Sequence, residues 1–89
     1  MKSYRFIISG RVQGVYYRKF TSSNALEKEF KGYVKNLGNG SVEACVTCHE
    51  EEVDEFVSIL EEGSPESFVE NIEKFDCEEI FLERFEIRY

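Results

Sequence analysis

Alternating apolar and polar positions predict strands near both ends of the chain. Every second side chain of Tyr4–Ser9 is apolar or aromatic, which indicates a strand with one buried face. We expect a fourth strand within Ser67–Phe75. The segment Phe81–Tyr89 ends in the strand-like stretch Arg84–Tyr89, which predicts a last strand.

A hairpin is predicted in the middle of the chain. Gly32–Asn36 and Ser41–Cys48 both have strand character, and Leu37–Gly40 between them contains an Asn-Gly pair. Asn-Gly between two strand patterns is the strongest short-range hairpin signal, because these residues readily adopt the backbone conformations of a tight turn. The two segments are therefore predicted to be antiparallel neighbours.

Two helices are predicted, one from a clear pattern and one from a weak pattern. Apolar residues at i, i+3, i+4 and i+7 form one stripe of the second helix: Val53, Phe56, Val57 and Leu60. Glu50–Glu52 lie at its start and Gly63 suits its end, so we interpret the acidic run as a solvated, helix-stabilising face rather than a metal site. Local capping signals begin the first helix near Ser22 or Ser23, and Gly32 ends it or marks the turn out of it.

The order of elements is β-α-β-β-α-β with a short extra strand. This order predicts a ferredoxin-like α+β sandwich, in which two helices cover one face of an antiparallel sheet. A chain of 89 residues has room for one core, so residues 1–89 are expected to form a single domain. No apolar run approaches the roughly 18 residues of a membrane span, and Met1–Arg5 resembles no export signal, which makes the cytosol the expected compartment.

Charge is distributed unevenly along the chain. The net charge of −7 argues against a general nucleic-acid or anionic-membrane binder. Residues 1–35 nevertheless carry a net charge of +6, whereas residues 36–89 carry −13. Any site for an anion is therefore expected in the first third, although simple segregation of surface charge would give the same pattern.

The pair Cys45 and Cys48 has C-x-x-C spacing, which occurs in redox and zinc sites. On a strand, residues three apart point to opposite faces, so Cys48 is expected to face inward and Cys45 outward. A redox pair would instead lie at a helix N-terminus, and His49 is the only histidine available to a zinc site. We therefore expect no metal and no redox chemistry here, and Cys77 is left as an odd thiol.

The segment Gly10–Arg18 is the one candidate for phosphate binding. It leaves a strand, turns on two glycines and leads into a helix, so several backbone N–H groups converge where the helix dipole is positive. Gly14 lets the backbone approach a ligand closely, and Arg18 offers a bidentate fork to phosphate oxygens. The segment is neither a Walker A loop nor a G-x-G-x-x-G loop, and ordinary turn chemistry would also account for its residues.

The chain resembles the acylphosphatase family over essentially its whole length. The first motif is long and specific, and the others follow in the family's order: Gly10–Arg18, Gly32–Asn36, Gly40–Glu43, Gly63–Ser67 and Phe85–Tyr89. Tyr33 stands where the family often has tryptophan, which is a swap of similar shape. The resemblance implies a small ferredoxin-like sandwich, in agreement with the fold expected from the pattern.

The resemblance also implies an activity, the metal-independent and cofactor-independent hydrolysis of the carboxyl-phosphate bond of small acyl phosphates. By this resemblance, Arg18 binds the phosphate, Asn36 positions the attacking water, and the first helix begins close to Tyr17. The implied backbone cradle consists of Val12, Gln13, Gly14, Val15, Tyr16 and Tyr17. The partner implied is a small-molecule acyl phosphate, with no nucleic acid and no membrane, and the protein is expected to be a monomer.

Other functions remain open at this point. One is a non-catalytic regulatory module that binds phosphate or an acyl phosphate. Similar domains are also modules of large carbamoyl-transfer proteins, although the ending at Tyr89 favours a free-standing enzyme. An RNA-binding sheet is disfavoured because the stacking motif and a basic face are absent. Arg11 is either a residue that steers anionic substrate or an exposed structural arginine.

Overall fold

The computed structural model describes all 89 residues, Met1–Tyr89. Its elements follow the predicted order: β1 (Lys2–Arg11), α1 (Tyr17–Glu27), β2 (Lys31–Asn36), β3 (Val42–Cys48), α2 (Val53–Glu62), β4 (Phe68–Cys77) and β5 (Glu86–Arg88). A 3₁₀ turn over Glu50–Glu52 leads directly into α2. No helix of the structure is long and apolar enough to cross a membrane.

The five strands form one sheet in the order β4-β1-β3-β2-β5. β1 is antiparallel to β3 and β4, and β2 is antiparallel to β3, as a ferredoxin-like sandwich requires. β5 instead pairs with β2 in parallel, so the sheet is mixed rather than purely antiparallel. The reason is that β4 and β5 lie at opposite edges of the sheet. Residues 78–85 cross from one edge to the other, and β5 then runs in the same direction as β2.

The helices cover one face of this sheet and enclose the hydrophobic core. Tyr4, Phe6 and Ile8 of β1 are buried there, which confirms the alternation predicted for the first strand. Phe56 of α2 lies at the centre of the core, with its ring centroid 5.6 Å from that of Phe6. Burial of the apolar stripe of α2 is what holds this helix on the sheet, since apolar surface removed from water is the main stabilising contribution.

The crossing segment 78–85 covers the opposite face of the sheet over β2 and β3. The backbone N–H of Phe81 donates a hydrogen bond of 2.8 Å to Thr47 Oγ1, and the Phe81 ring packs edge-on against Tyr33. Cys45 lies on this face with 1% of its surface exposed, so the expectation that it faces solvent was wrong. Alternation along β3 sends Cys45 and Cys48 to opposite faces, but only tertiary structure could show that both faces are covered.

Both cysteines of the C-x-x-C pair are buried thiols. Burial raises the pKa of Cys45 and of Cys48 to about 11, so both remain protonated at neutral pH. All three cysteines are free, and no three His, Cys, Asp or Glu side chains converge on a common point.

Candidate functional site

The N-terminus of α1 lies at the end of the sheet where β1, β2 and β5 all finish. The helix begins at Tyr17, as the family resemblance implies, so the local expectation of a start near Ser22 or Ser23 was wrong. Tyr16 precedes the helix in a left-handed conformation with φ of 63°, and no side chain caps the helix. The first amides of an α-helix have no intrahelical acceptor, so this end is a surface of unpaired N–H donors.

The loop that leads into α1 is held from two sides. Val12 and Val15 are buried in the core, and Ser64 Oγ donates a hydrogen bond of 2.6 Å to the carbonyl of Val15. On the other side, Gln13 Nε2 donates to the carbonyls of Leu37 and Ser41, both at 2.8 Å. The loop is therefore pre-formed, so an incoming anion would not have to bear the entropic cost of ordering it.

Arg18 lies in the first turn of α1 and is half-buried. Its Nη1 donates a hydrogen bond of 3.3 Å to the carbonyl of Arg88, and its guanidinium carbon lies 4.8 Å from the centroid of the Tyr89 ring. Arg18 forms no ion pair with any carboxylate of the protein. These contacts orient the guanidinium while leaving its charge uncompensated, which is the state in which an arginine binds phosphate.

Asn36 ends β2 beside the same loop. Its Oδ1 atom is buried and accepts no hydrogen bond from the protein. A buried acceptor without a partner costs about 1–3 kcal/mol, which a hydrogen-bond donor in the cleft would recover. Asn36 therefore presents an acceptor, while the α1 terminus and Arg18 present donors.

These groups share a surface cleft of about 450 Å³. Its walls come from β1, the loop, α1, β2 and the last residues of the chain: Val12, Gly14, Tyr16, Tyr17, Arg18, Lys19, Asn36, Ile87 and Tyr89. The cleft contains two cationic side chains and no Asp or Glu side chain. Four other clefts, of 170–490 Å³, each contain at least two carboxylates, the largest of them between α2 and β4. Among these five clefts, the one at α1 has the charge that an anionic ligand needs.

Most of the residues predicted for the site line this cleft. Gln13 and Val15 are the exceptions: Gln13 binds the β2–β3 hairpin, and Val15 is buried. Arg11 is exposed on β1 and does not line the cleft. His49 follows β3, at the opposite end of the sheet from Asn36.

Sequence reasoning missed three residues that line the cleft. Lys19 follows Arg18 directly, and its place in the first turn of a helix was a usable signal. Ile87 and Tyr89 carried no local signal, because they reach the cleft only through the parallel pairing of β5 with β2.

The Tyr17 phenol does not face the ligand side of the cleft. Its O–H donates a hydrogen bond of 2.7 Å to the carbonyl of Leu60. Burial raises the pKa of this phenol far above its usual value, so it stays protonated. Tyr17 therefore ties the start of α1 to the end of α2.

Comparison with known proteins places this arrangement in one family. A family model described as Acylphosphatase matches residues 4–87. An acylphosphatase of Methanocella arvoryzae is 39% identical over 88 residues, which cover 99% of this chain and 100% of that protein. The crystal structure of acylphosphatase from Bacillus subtilis superposes with a TM-score of 0.88 and 38% identity over 100% of both chains. The family resemblance and the fold predicted from the sequence are confirmed.

The same fold also occurs inside a longer protein. The crystal structure of HypF from T. kodakarensis matches with a TM-score of 0.82 and 36% identity. The match covers 98% of this chain but only 12% of that one. The relatives matched over their full length are, by contrast, named as acylphosphatases.

Proposed function

This chain belongs to the acylphosphatase family, and we propose that it hydrolyses the carboxyl-phosphate bond of small acyl phosphates, with Arg18 binding the phosphoryl group and Asn36 orienting the attacking water. One observation carries the assignment of these residues. A guanidinium without an ion-pair partner, uncapped helix amides and a buried, unpartnered amide oxygen meet in a cleft that contains no Asp or Glu side chain.

The α1 terminus and Arg18 act on the phosphoryl group. Backbone N–H groups from the loop and the first turn donate to the phosphate oxygens, and the helix dipole adds positive potential. Arg18 can place two parallel hydrogen bonds on two non-bridging oxygens, which neutralises charge that spreads over them in the transition state. Because these donors are held by the fold before the substrate arrives, no reorganisation is needed during the reaction.

Asn36 acts on the nucleophile. An amide does not titrate at physiological pH, so Asn36 is not a base, but its carbonyl oxygen accepts a hydrogen bond from water and directs a lone pair of the water oxygen at phosphorus. The water oxygen bonds to phosphorus as the bond between phosphorus and the acyl oxygen breaks. The carboxylate leaves, and the water proton passes to a phosphate oxygen. A carboxylate is a good leaving group, so this mechanism requires no general acid.

The family match does not favour a phosphate-binding regulatory module. All the groups of the proposed site come from one chain, so a monomer is sufficient for the reaction, and the partner is a dissolved acyl phosphate. A location in the cytosol remains a prediction from the sequence.

The test is the hydrolysis of benzoyl phosphate by the purified protein in the presence of EDTA. We expect turnover that chelation leaves unchanged and that inorganic phosphate inhibits competitively, since product and substrate would occupy the same cradle. If inorganic phosphate bound to the folded protein but no acyl phosphate were hydrolysed, the activity would be refuted in favour of a binding module.

A further inference from the structure

The Gln13 side chain connects the phosphate loop to the hairpin turn that follows Asn36. Its side-chain amide donates both of its hydrogens to backbone carbonyls of the β2–β3 hairpin, those of Leu37 and Ser41, at 2.8 Å each. These carbonyls lie 24 and 28 residues further along the chain. The Gln13 backbone belongs to the phosphate loop, and Leu37 immediately follows Asn36.

The hairpin has few other anchors near its tip. Within the turn, the Leu37 N–H donates to the Ser41 carbonyl at 2.8 Å, and Asn39 Oδ1 accepts from the Ser41 N–H at 3.0 Å. Residues 38–40 are exposed. The local bonds define the shape of the turn but not where it lies relative to the loop. Gln13 supplies the hydrogen bonds that run from the turn to the loop.

The loop itself does not depend on Gln13 for its position. Val12 and Val15 are buried in the core, and Ser64 binds the Val15 carbonyl. Loss of the Gln13 amide would therefore leave the phosphate cradle in place and loosen the turn that follows Asn36, while β2 stays paired with β3 up to the Asn36–Val42 pair. Because the loop has other anchors and the turn does not, loss of Gln13 is expected to disturb the alignment of water while leaving the binding of phosphate intact.

We infer that Gln13 is a positioning residue: its side chain holds the turn after Asn36 against the phosphate cradle, and so fixes the orientation of the Asn36 amide and the in-line alignment of the water with phosphorus. This inference rests on the proposed function. A water displaced by even 1 Å from the attack line can cost a large part of the benefit of orientation, so the effect falls on kcat rather than on phosphate affinity.

The test uses Gln13→Met, which keeps the length of the side chain but removes both donors without adding charge. We expect kcat for benzoyl phosphate to fall about tenfold, with the inhibition constant of inorganic phosphate within about twofold of wild type. A loss of phosphate affinity as large as the loss of kcat would overturn the inference, because it would place Gln13 in the cradle.

A double-mutant cycle with Asn36→Ala tests whether Gln13 acts on kcat through Asn36. If Gln13 acts through Asn36, then Gln13→Met in the Asn36→Ala background lowers kcat by less than about twofold further. A further tenfold loss would show that Gln13 acts independently of Asn36 and would overturn the inference.

Ser3→Ala is the control for a general loss of stability. It removes a buried hydrogen bond to Thr47 at the opposite end of β1, at a cost of about 1 kcal/mol. We expect its kcat to match wild type. If Ser3→Ala and Gln13→Met lowered kcat equally, Gln13 would be a stabilising residue only.

A readout independent of turnover is amide hydrogen exchange at the hairpin. The Leu37 amide is expected to exchange at least about fivefold faster in Gln13→Met than in wild type, whereas amides of β1 keep their rates. An equal exchange rate of the Leu37 amide in Gln13→Met and in wild type would refute the positioning role, whether or not the protein hydrolyses acyl phosphates. Absence of turnover in wild type would refute the proposed function instead, so the two failures are distinguishable.

Discussion

The two helices of this protein use their N-termini in opposite ways. α1 begins without a side-chain cap, has no acidic residue in its first turn and carries Arg18 and Lys19 there. α2 follows Glu50–Glu52 and has two further acids in its first turn. The Glu52 carboxylate also accepts a hydrogen bond of 2.9 Å from the His49 N–H. The same dipole is thus compensated by the protein in α2 and left uncompensated in α1.

This difference teaches how a small acidic domain keeps one helix terminus electropositive. Acids at a helix start stabilise the helix, and the chain places them at α2, away from the cleft at α1. An acidic residue at the start of α1 would instead place a carboxylate in the cleft beside Arg18. The stability that α1 lacks at its terminus comes from tertiary contacts instead, such as the Tyr17 hydroxyl bound to Leu60 and the Ser64 hydroxyl bound to Val15.

The largest effect is expected from removing the cation of the α1 terminus. Arg18→Ala should lower kcat/KM for benzoyl phosphate by about 100-fold or more, because a charged phosphate clamp contributes about 3 kcal/mol to the transition state. Steady-state kinetics measure this loss. The kcat/KM of Arg18→Lys should fall between those of wild type and Arg18→Ala, since lysine keeps the charge but lacks the planar fork of arginine. If Arg18→Ala retained more than a tenth of wild-type kcat/KM, the binding role would be wrong.

A smaller effect, confined to kcat, is expected from removing Asn36, the hydrogen-bond acceptor beside the α1 terminus. Asn36→Ala should reduce kcat about 30-fold, because the water loses its orienting hydrogen bond, and should leave phosphate inhibition within about twofold. Asn71→Ala, on the exposed β4 strand, is the matched control and should behave as wild type. A large drop in phosphate affinity in Asn36→Ala would contradict a role limited to the nucleophile.

Lys19→Glu makes the start of α1 resemble that of α2. The residue stands third in the helix, where a carboxylate interacts favourably with the dipole, so the free energy of unfolding should rise by up to about 0.5 kcal/mol. The same carboxylate lines the cleft and should weaken inhibition by inorganic phosphate about tenfold at low salt, and less at high salt. Lys28→Glu, after the other end of α1, should leave phosphate inhibition unchanged. Equal effects of the two variants would mean that net charge alone matters.

Glu52→Ala is the reverse experiment on α2 and has the smallest expected effect. It removes the carboxylate that accepts from His49, so the free energy of unfolding should fall by about 0.5–1 kcal/mol and Tm by roughly 2–6 °C. Thermal unfolding measures this, with Glu51→Ala as the control that keeps the hydrogen bond. Activity should not change, because α2 begins at the end of the sheet far from the cleft. A loss of kcat in Glu52→Ala would refute the separation of the two termini.

Local chemistry made much of the fold predictable. The Asn-Gly hairpin and the apolar stripe of α2 depend on neighbours within a few residues, and both stand in the structure as the pattern indicates. The same holds for the faces of β1. Expectations failed where a distant segment decided the outcome. Ser23 is a good cap, but the N-cap of α1 is Tyr16, seven residues before it, because Tyr17 is fixed by Leu60.

The sequence by itself determined the order of elements, the loop with Gly14 that leads to Arg18, and the strand that ends at Asn36. These features follow from backbone preferences and from the period of apolar residues, which act over short distances along the chain. Tertiary structure alone decided that Cys45 is buried, that β5 runs parallel to β2 and that Gln13 binds the hairpin. Each of these depends on segments more than 20 residues apart, whose meeting is governed by packing of the whole core rather than by local propensity.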